Sequence, residues 1–162
     1  MKLKLSQNGF TLIEMLVVLA ILAILAGVTV PFAEVTVKRN KEMDLKRALR
    51  ETRTAIDAFH DDWQNGVISK YGSYTSEDGY PKTLSNLVDG VDTAGTRNVK
   101  KKYLRRIPEN PFADSNLPTD QQWALRSYAD EKGTTQWGGQ DVYDLYCAGD
   151  EKALDGSYYH DW

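Results

Sequence analysis

The chain has 162 residues, a formal net charge of −3, and 20 Lys and Arg against 23 Asp and Glu. Its mean hydropathy is −0.50 although one stretch is nearly pure hydrocarbon, so the remainder is strongly polar and suffices for one small globular domain but not two. The only cysteine, Cys147, excludes an intrachain disulfide and every CxxC, zinc or haem-attachment spacing.

Residues Met1 to Gly9 carry Lys2 and Lys4 and no acid, a short basic leader that the positive-inside rule keeps in the cytoplasm. From Phe10 to Phe32, 23 residues at about 1.5 Å rise extend ~35 Å, enough to cross a ~30 Å hydrocarbon core as one helix. One carboxylate, Glu14, sits near its start. A charge inside a spanning helix costs roughly 2.5–3.5 kcal/mol on insertion scales, so Glu14 calls for an explanation, of which one is a tolerated glutamate that snorkels near the membrane face. An ordinary secretory signal places its small-residue cleavage site after a shorter apolar run, whereas here the glycine precedes a longer one. Gly27 and Pro31 stand four apart, so the proline removes the amide bond to Gly27 and presses on its carbonyl; a kink or locally loosened turn is expected.

Beyond Pro31 the period stays helical. Leu45, Leu49, Thr52, Ile56, Phe59 and Trp63, with Ala48 and Ala55, form one stripe that reads as core, while Glu34 to Lys38 and Glu42 to Lys46 are i,i+4 pairs on the opposite side. The expected organisation is leader 1–9, apolar helix 10–33, amphipathic helix 34–63 and globular region 64–162. In the last, 64–78 reads as loop, Tyr80–Leu87 as a short helical turn and Asp89–Asn98 as a polar loop. Trp123–Ala129 and Gln140–Cys147 read as strands joined by a turn containing Gly133, Gly138 and Gly139, and Asp155-Gly156 as a type I′ turn. The fold class is therefore α+β, a long amino-terminal helix laid on a small antiparallel sheet of about three strands.

Charge is segregated along the chain. Lys38–Arg53 holds seven basic and three acidic residues, Arg97–Arg106 six basic and none acidic, and Ile107–Trp162 three basic and eleven acidic. Such separation either solvates two faces or lets the acidic end of one copy meet a basic stretch of another. Nucleic acid is not expected, because no basic patch interleaved with aromatics lies on a recognised fold. No P-loop, dinucleotide fingerprint, G-x-S-x-G or H-E-x-x-H occurs, and His60-Asp61-Asp62 are consecutive helical residues that face different ways, so an enzyme is not expected.

The stretch KLSQNGFTLIEMLVVLAILAILAGVTVP resembles the class III signal of type IV pilins and type II secretion pseudopilins. The resemblance implies that a prepilin peptidase cuts between Gly9 and Phe10 and methylates the new amino group on Phe10. It further implies that Glu14 pairs with that amine on a neighbouring subunit, and that the segment around Gly27 and Pro31 can melt in the filament. YPKTLSNLVDG, YLRRIPENPF and YDLYCAGDEKALDG follow in the order seen in the major (G-type) pseudopilins, although Cys147 stands near the family's usual serine and Gly149-Asp150-Glu151 departs from the family loop. That loop commonly binds calcium in the family, which would make Asp150 and Asp155 two of the six to eight oxygen ligands required; the alternative is a solvated acidic loop.

What the resemblance implies is a single-pass protein of the bacterial inner membrane with its globular region in the periplasm. It would polymerise with itself and other pseudopilins, on an inner-membrane assembly platform, into a pseudopilus that drives protein export through a secretin. The alternatives are a type IV pilin for motility, adhesion or DNA uptake and, from another class, a helix-anchored periplasmic enzyme or binding module.

Overall fold

The computed structural model of the chain describes residues 9–95 and 99–162. Lys2 and Lys4 of the leader and Arg97 of the basic run lie outside them. Two compact units are present, one reaching Arg39 and the other running from Asn40 to Trp162.

Helix α1 spans Leu12–Gln64. In the first unit its start is fixed locally, because Thr11 Oγ1 accepts the Glu14 amide at 3.3 Å and the Thr11 carbonyl accepts that of Met15 at 3.2 Å. Such a cap satisfies amides that have no partner within the helix. The large apolar side chains from Phe10 to Leu25 remain 47–78% exposed. Among the described residues this is the one helix long and apolar enough to cross a membrane. The backbone is helical at both Gly27 and Pro31, and the side chains of 28–31 lie outside the described ones.

The second unit is built on the stripe anticipated from periodicity. Leu45, Ala48, Leu49, Ala55, Ile56 and Phe59 are buried, and Trp63 packs against them. Thr52 shares the stripe without a polar penalty, since its hydroxyl donates to the Ala48 carbonyl at 2.9 Å. On this face pack Ile68, Leu84, Leu87, Val91, Leu104, Trp123, Val142, Leu145 and Tyr159. Gly79 permits one of these contacts: it takes φ 86°, and a Cβ there would run into the Trp63 indole.

The α+β class stands, but the strands are shorter and differently grouped than a sheet of about three. Among the described residues β1 (Val91–Asp92) pairs antiparallel with β2 (Lys100–Lys101), and β3 (Ala124–Arg126) with β4 (Asp144–Tyr146), as two separate ladders. Pro108, Pro111 and Pro118 lie between β2 and β3, where ladder donors are missing. The segment read as a polar loop, Asp89–Asn98, thus contributes a strand: Val91 is buried opposite Lys101 while Asp92 faces out. Two residues carry too little alternation to reveal a strand. The helical turn falls at α2, Ser85–Asp89.

The Asp155-Gly156 turn differs in type. Gly156 donates to the Ala153 carbonyl, so the turn's central residues are Leu154 and Asp155, and Gly156 closes it at φ 87° below the Lys152–Tyr158 bridge. A type I′ turn would have had Asp155 and Gly156 themselves in the centre.

Candidate functional site

The sequence-derived site residues fall in two places. At the start of α1, Gly9 and Phe10 precede the helix and are exposed, with Phe10 at 75%. Glu14 occupies the third helical position, where its backbone amide is tied to Thr11 and its carboxylate has no bond to any described residue. Thr11-Leu12-Ile13-Glu14 is a T-x-x-E pattern, the sequence signature of a helix start. The arrangement presents a lone acid on an exposed apolar surface, next to a glycine–phenylalanine bond that no helix covers.

The second place is the carboxy-terminal loop. Asp150 is almost fully exposed, with His160 Nδ1 3.9 Å from its Oδ1. Asp155 turns back on its own loop: its Oδ1 accepts the Ser157 hydroxyl at 2.6 Å and the Ser157 amide at 2.9 Å. Those two bonds, the hydroxyl's first, hold the Asp155 carboxyl below its ordinary range. Asp150 and Asp155 therefore have different protein partners, and no group of three or more His, Cys, Asp or Glu suited to a metal occurs among the described residues. Most oxygens around a calcium ion here would have to be carbonyls and water, a set such an ion accepts.

Glu42, which its spacing pairs with Lys46, and Arg53, to which the sequence gives no partner, anchor this loop. Glu42 does not pair with Lys46; its Oε1 accepts the Leu154 amide at 2.8 Å and the Tyr159 hydroxyl at 3.0 Å. Lys46 instead lies over the Trp162 ring, 3.9 Å from its centroid. Burial, then the bond to Glu42, raises the Tyr159 phenol. Arg53 is a hub. Its Nε donates to Asp144 Oδ1 at 2.8 Å, and its Nη2 donates to the Leu145 carbonyl at 3.2 Å and the Trp162 carbonyl at 2.7 Å. Only the i,i+4 rule spoke for Glu42 in the sequence, and its actual partners are more than a hundred residues away.

The remaining polar candidates are structural. His60 stacks on Tyr80 at 4.3 Å and on Trp63 at 5.8 Å. Asp62 accepts from Tyr103 at 2.7 Å and pairs with Lys101. Cys147 is a free, buried thiol beside Asn110, and burial raises its pKa. Neither His60-Asp61-Asp62 nor Cys147 is arranged as a nucleophile with its base.

Residues 4–30 match the family described as the Prokaryotic N-terminal methylation motif. The chain is 31% identical over 97 residues to the type IV major alpha-pilin of Moraxella bovis, covering 56% of this chain and 61% of that one. It is 32% identical over 95 residues to fimbrial protein Q of Moraxella bovis, covering 56% and 60%, and 35% identical over 92 residues to the type IV major fimbrial protein FimA of Dichelobacter nodosus, covering 57% and 53%. The chain thus spans less than two thirds of the length of each of these relatives. No solved structure matches it. Over the matched part the chain is similar to these type IV pilins and fimbrial proteins.

Proposed function

We propose that this chain is a structural subunit, stored in the bacterial inner membrane with its globular unit in the periplasm, that polymerises through α1 into a pseudopilus serving type II secretion. The observation that carries the reading is the exposed apolar stretch from Phe10 to Leu25 with a single unpartnered carboxylate, Glu14, just inside its capped start. Apolar surface of that extent must lie in lipid or against like helices. A carboxylate within it favours an arrangement in which a cation meets it, and the amine freed by cutting between Gly9 and Phe10 is such a cation. Prepilin peptidase, the other pseudopilins and the assembly platform follow as partners. The Gly27–Pro31 segment is the place where the helix would yield on packing. Calcium at Asp150 and Asp155 is a separate part of the proposal.

The type IV pilus is the second reading, favoured by the names of the Moraxella bovis and Dichelobacter nodosus relatives. Deleting the gene separates the two: loss of exported enzymes with surface fibres intact supports the pseudopilus, and the reverse supports the pilus. For the shared core of both readings, Glu14→Ala in the full chain should leave membrane insertion and removal of the leader intact, by intact mass, yet lower filament yield by at least about tenfold, the loss expected for one uncompensated charge in a dry interface. Normal filaments from Glu14→Ala would remove Glu14 from assembly.

A further inference from the structure

We infer that a groove between α1 and the segment Tyr103–Glu109 receives the acidic carboxy-terminal hairpin of a second copy of this chain. The inference rests on the filament reading and adds the surface through which the globular units recognise each other. One wall of the groove carries Arg47, Arg50 and Glu51 of α1, and the other Arg105, Arg106 and Glu109; all six are exposed. Ala55 and Leu104, both buried, form its floor.

The guanidinium groups are not consumed within the chain. Arg47 reaches Asp44 at 3.8 Å across an exposed turn, and among the described residues Arg50, Arg105 and Arg106 form no ion pair, although Glu51 and Glu109 line the same walls. Guanidinium forks left facing solvent on opposite walls suit carboxylates that enter between them, because two parallel N–H donors match one carboxylate.

The same chain carries such an insert. The hairpin bridged at Lys152 and Tyr158 exposes Asp150, Glu151 and Asp155, and at its tip Leu154 is 45% exposed. An apolar tip flanked by acids complements an apolar floor flanked by arginines. Within its own copy the hairpin is held at Glu42, through the Leu154 amide and the Tyr159 hydroxyl, and its acids have no bond to the groove arginines. Glu51 and Glu109 argue for this occupant over a nucleic acid: they oppose a continuous phosphate chain, whereas the hairpin brings Lys152 along with its carboxylates.

The test is a charge swap in the full chain, in membranes where the wild type assembles. Arg105→Glu with Arg106→Glu should lower assembled material by about tenfold, Asp150→Lys with Glu151→Lys should do the same, and the two pairs combined in one chain should recover most of the loss. All positions are exposed, and near-ultraviolet circular dichroism of each variant identifies any that has lost its fold; single-charge versions then replace it. If the wild type forms no assemblies, the filament reading itself fails. If the wild type assembles and the reversals leave it unchanged, or their combination is no better than the worse of the two, the docking surface is wrong while the filament reading survives. Retention of duplex DNA that vanishes with the arginine reversals, self-association being unaffected, would also overturn the hairpin as occupant.

Discussion

Replacing Arg53 by methionine keeps the length and apolar stem of the side chain and removes its five donors. The loss can be worked from its contacts. The ion pair with Asp144 is partly exposed, 36% for Arg53 and 22% for Asp144, which discounts the Coulombic part towards the ~0.2–1 kcal/mol of surface pairs. The bonds to the Leu145 and Trp162 carbonyls join a charged donor to backbone acceptors, and each is worth roughly 1 kcal/mol net at this burial. Asp144 would keep the Leu145 amide, at 2.8 Å, and Arg126, at 4.0 Å. Arg53→Met should therefore cost about 2–3 kcal/mol and lower the melting temperature of the globular unit by roughly 6–12 °C. Asp144→Asn should cost less, about 1 kcal/mol, because the carbonyl bonds survive it. In a double-mutant cycle the coupling between the two positions should be about 0.5–1 kcal/mol. The assay is urea unfolding of the full chain in detergent, followed by tryptophan fluorescence. Coupling within about 0.3 kcal/mol of zero, with Arg53→Met no worse than Asp144→Asn, would refute the assignment of Arg53 as the hub joining α1 to β4 and to Trp162.

Two further outcomes follow from the same contacts. Burial raises the Asp62 carboxyl, but the bonds from Lys101 and Tyr103 outweigh it and leave the group below its ordinary value in the fold. Its contribution is thus complete above the unfolded carboxylate value of about 3.9 and is lost as pH falls through the lower folded value. Asp62→Asn should flatten the acid side of a melting-temperature profile below about pH 5, and a profile parallel to the wild type would exclude this pair as an acid-sensitive element. Millimolar calcium should raise the melting temperature of the wild type, less so in Asp150→Asn with Asp155→Asn; no shift in the wild type would sink the metal proposal.

What was legible in the sequence is what repeats with the period of a helix. The stripe from Leu45 to Phe59 was readable because each member recurs at three or four residues, and every one is buried. The exposed start of α1 was readable from composition alone. The strands at Ala124–Arg126 and Asp144–Tyr146 fell inside the longer spans assigned to them, since aromatic and aliphatic residues cluster there. β1 escaped because two residues cannot display a period, and Ile68, fully buried, escaped because it and the exposed Val67 beside it are adjacent apolar residues in a polar loop, which show no period to say which faces the core. The carboxy-terminal loop was located but its fastening was not. Glu42 looked like half of a local helical pair, and only the fold brings Tyr159 and the Leu154 amide to it. Long-range polar pairing leaves no spacing rule in one sequence.

The hydrogen bond between Thr11 and Glu14 bears on the proposed removal of the leader. Cutting after Gly9 takes away nothing that the first turn uses, because both capping partners lie on the retained side. The helix would thus not be left frayed if, as proposed, a fresh amino terminus were made one residue before Thr11. On the proposed processing, the new amine would stand beside a first turn that is already capped. Glu14's amide is occupied in holding the turn, which leaves its carboxylate as the part that, on the proposed assembly, a neighbour would meet: one residue would serve its own chain through its backbone and another copy through its side chain.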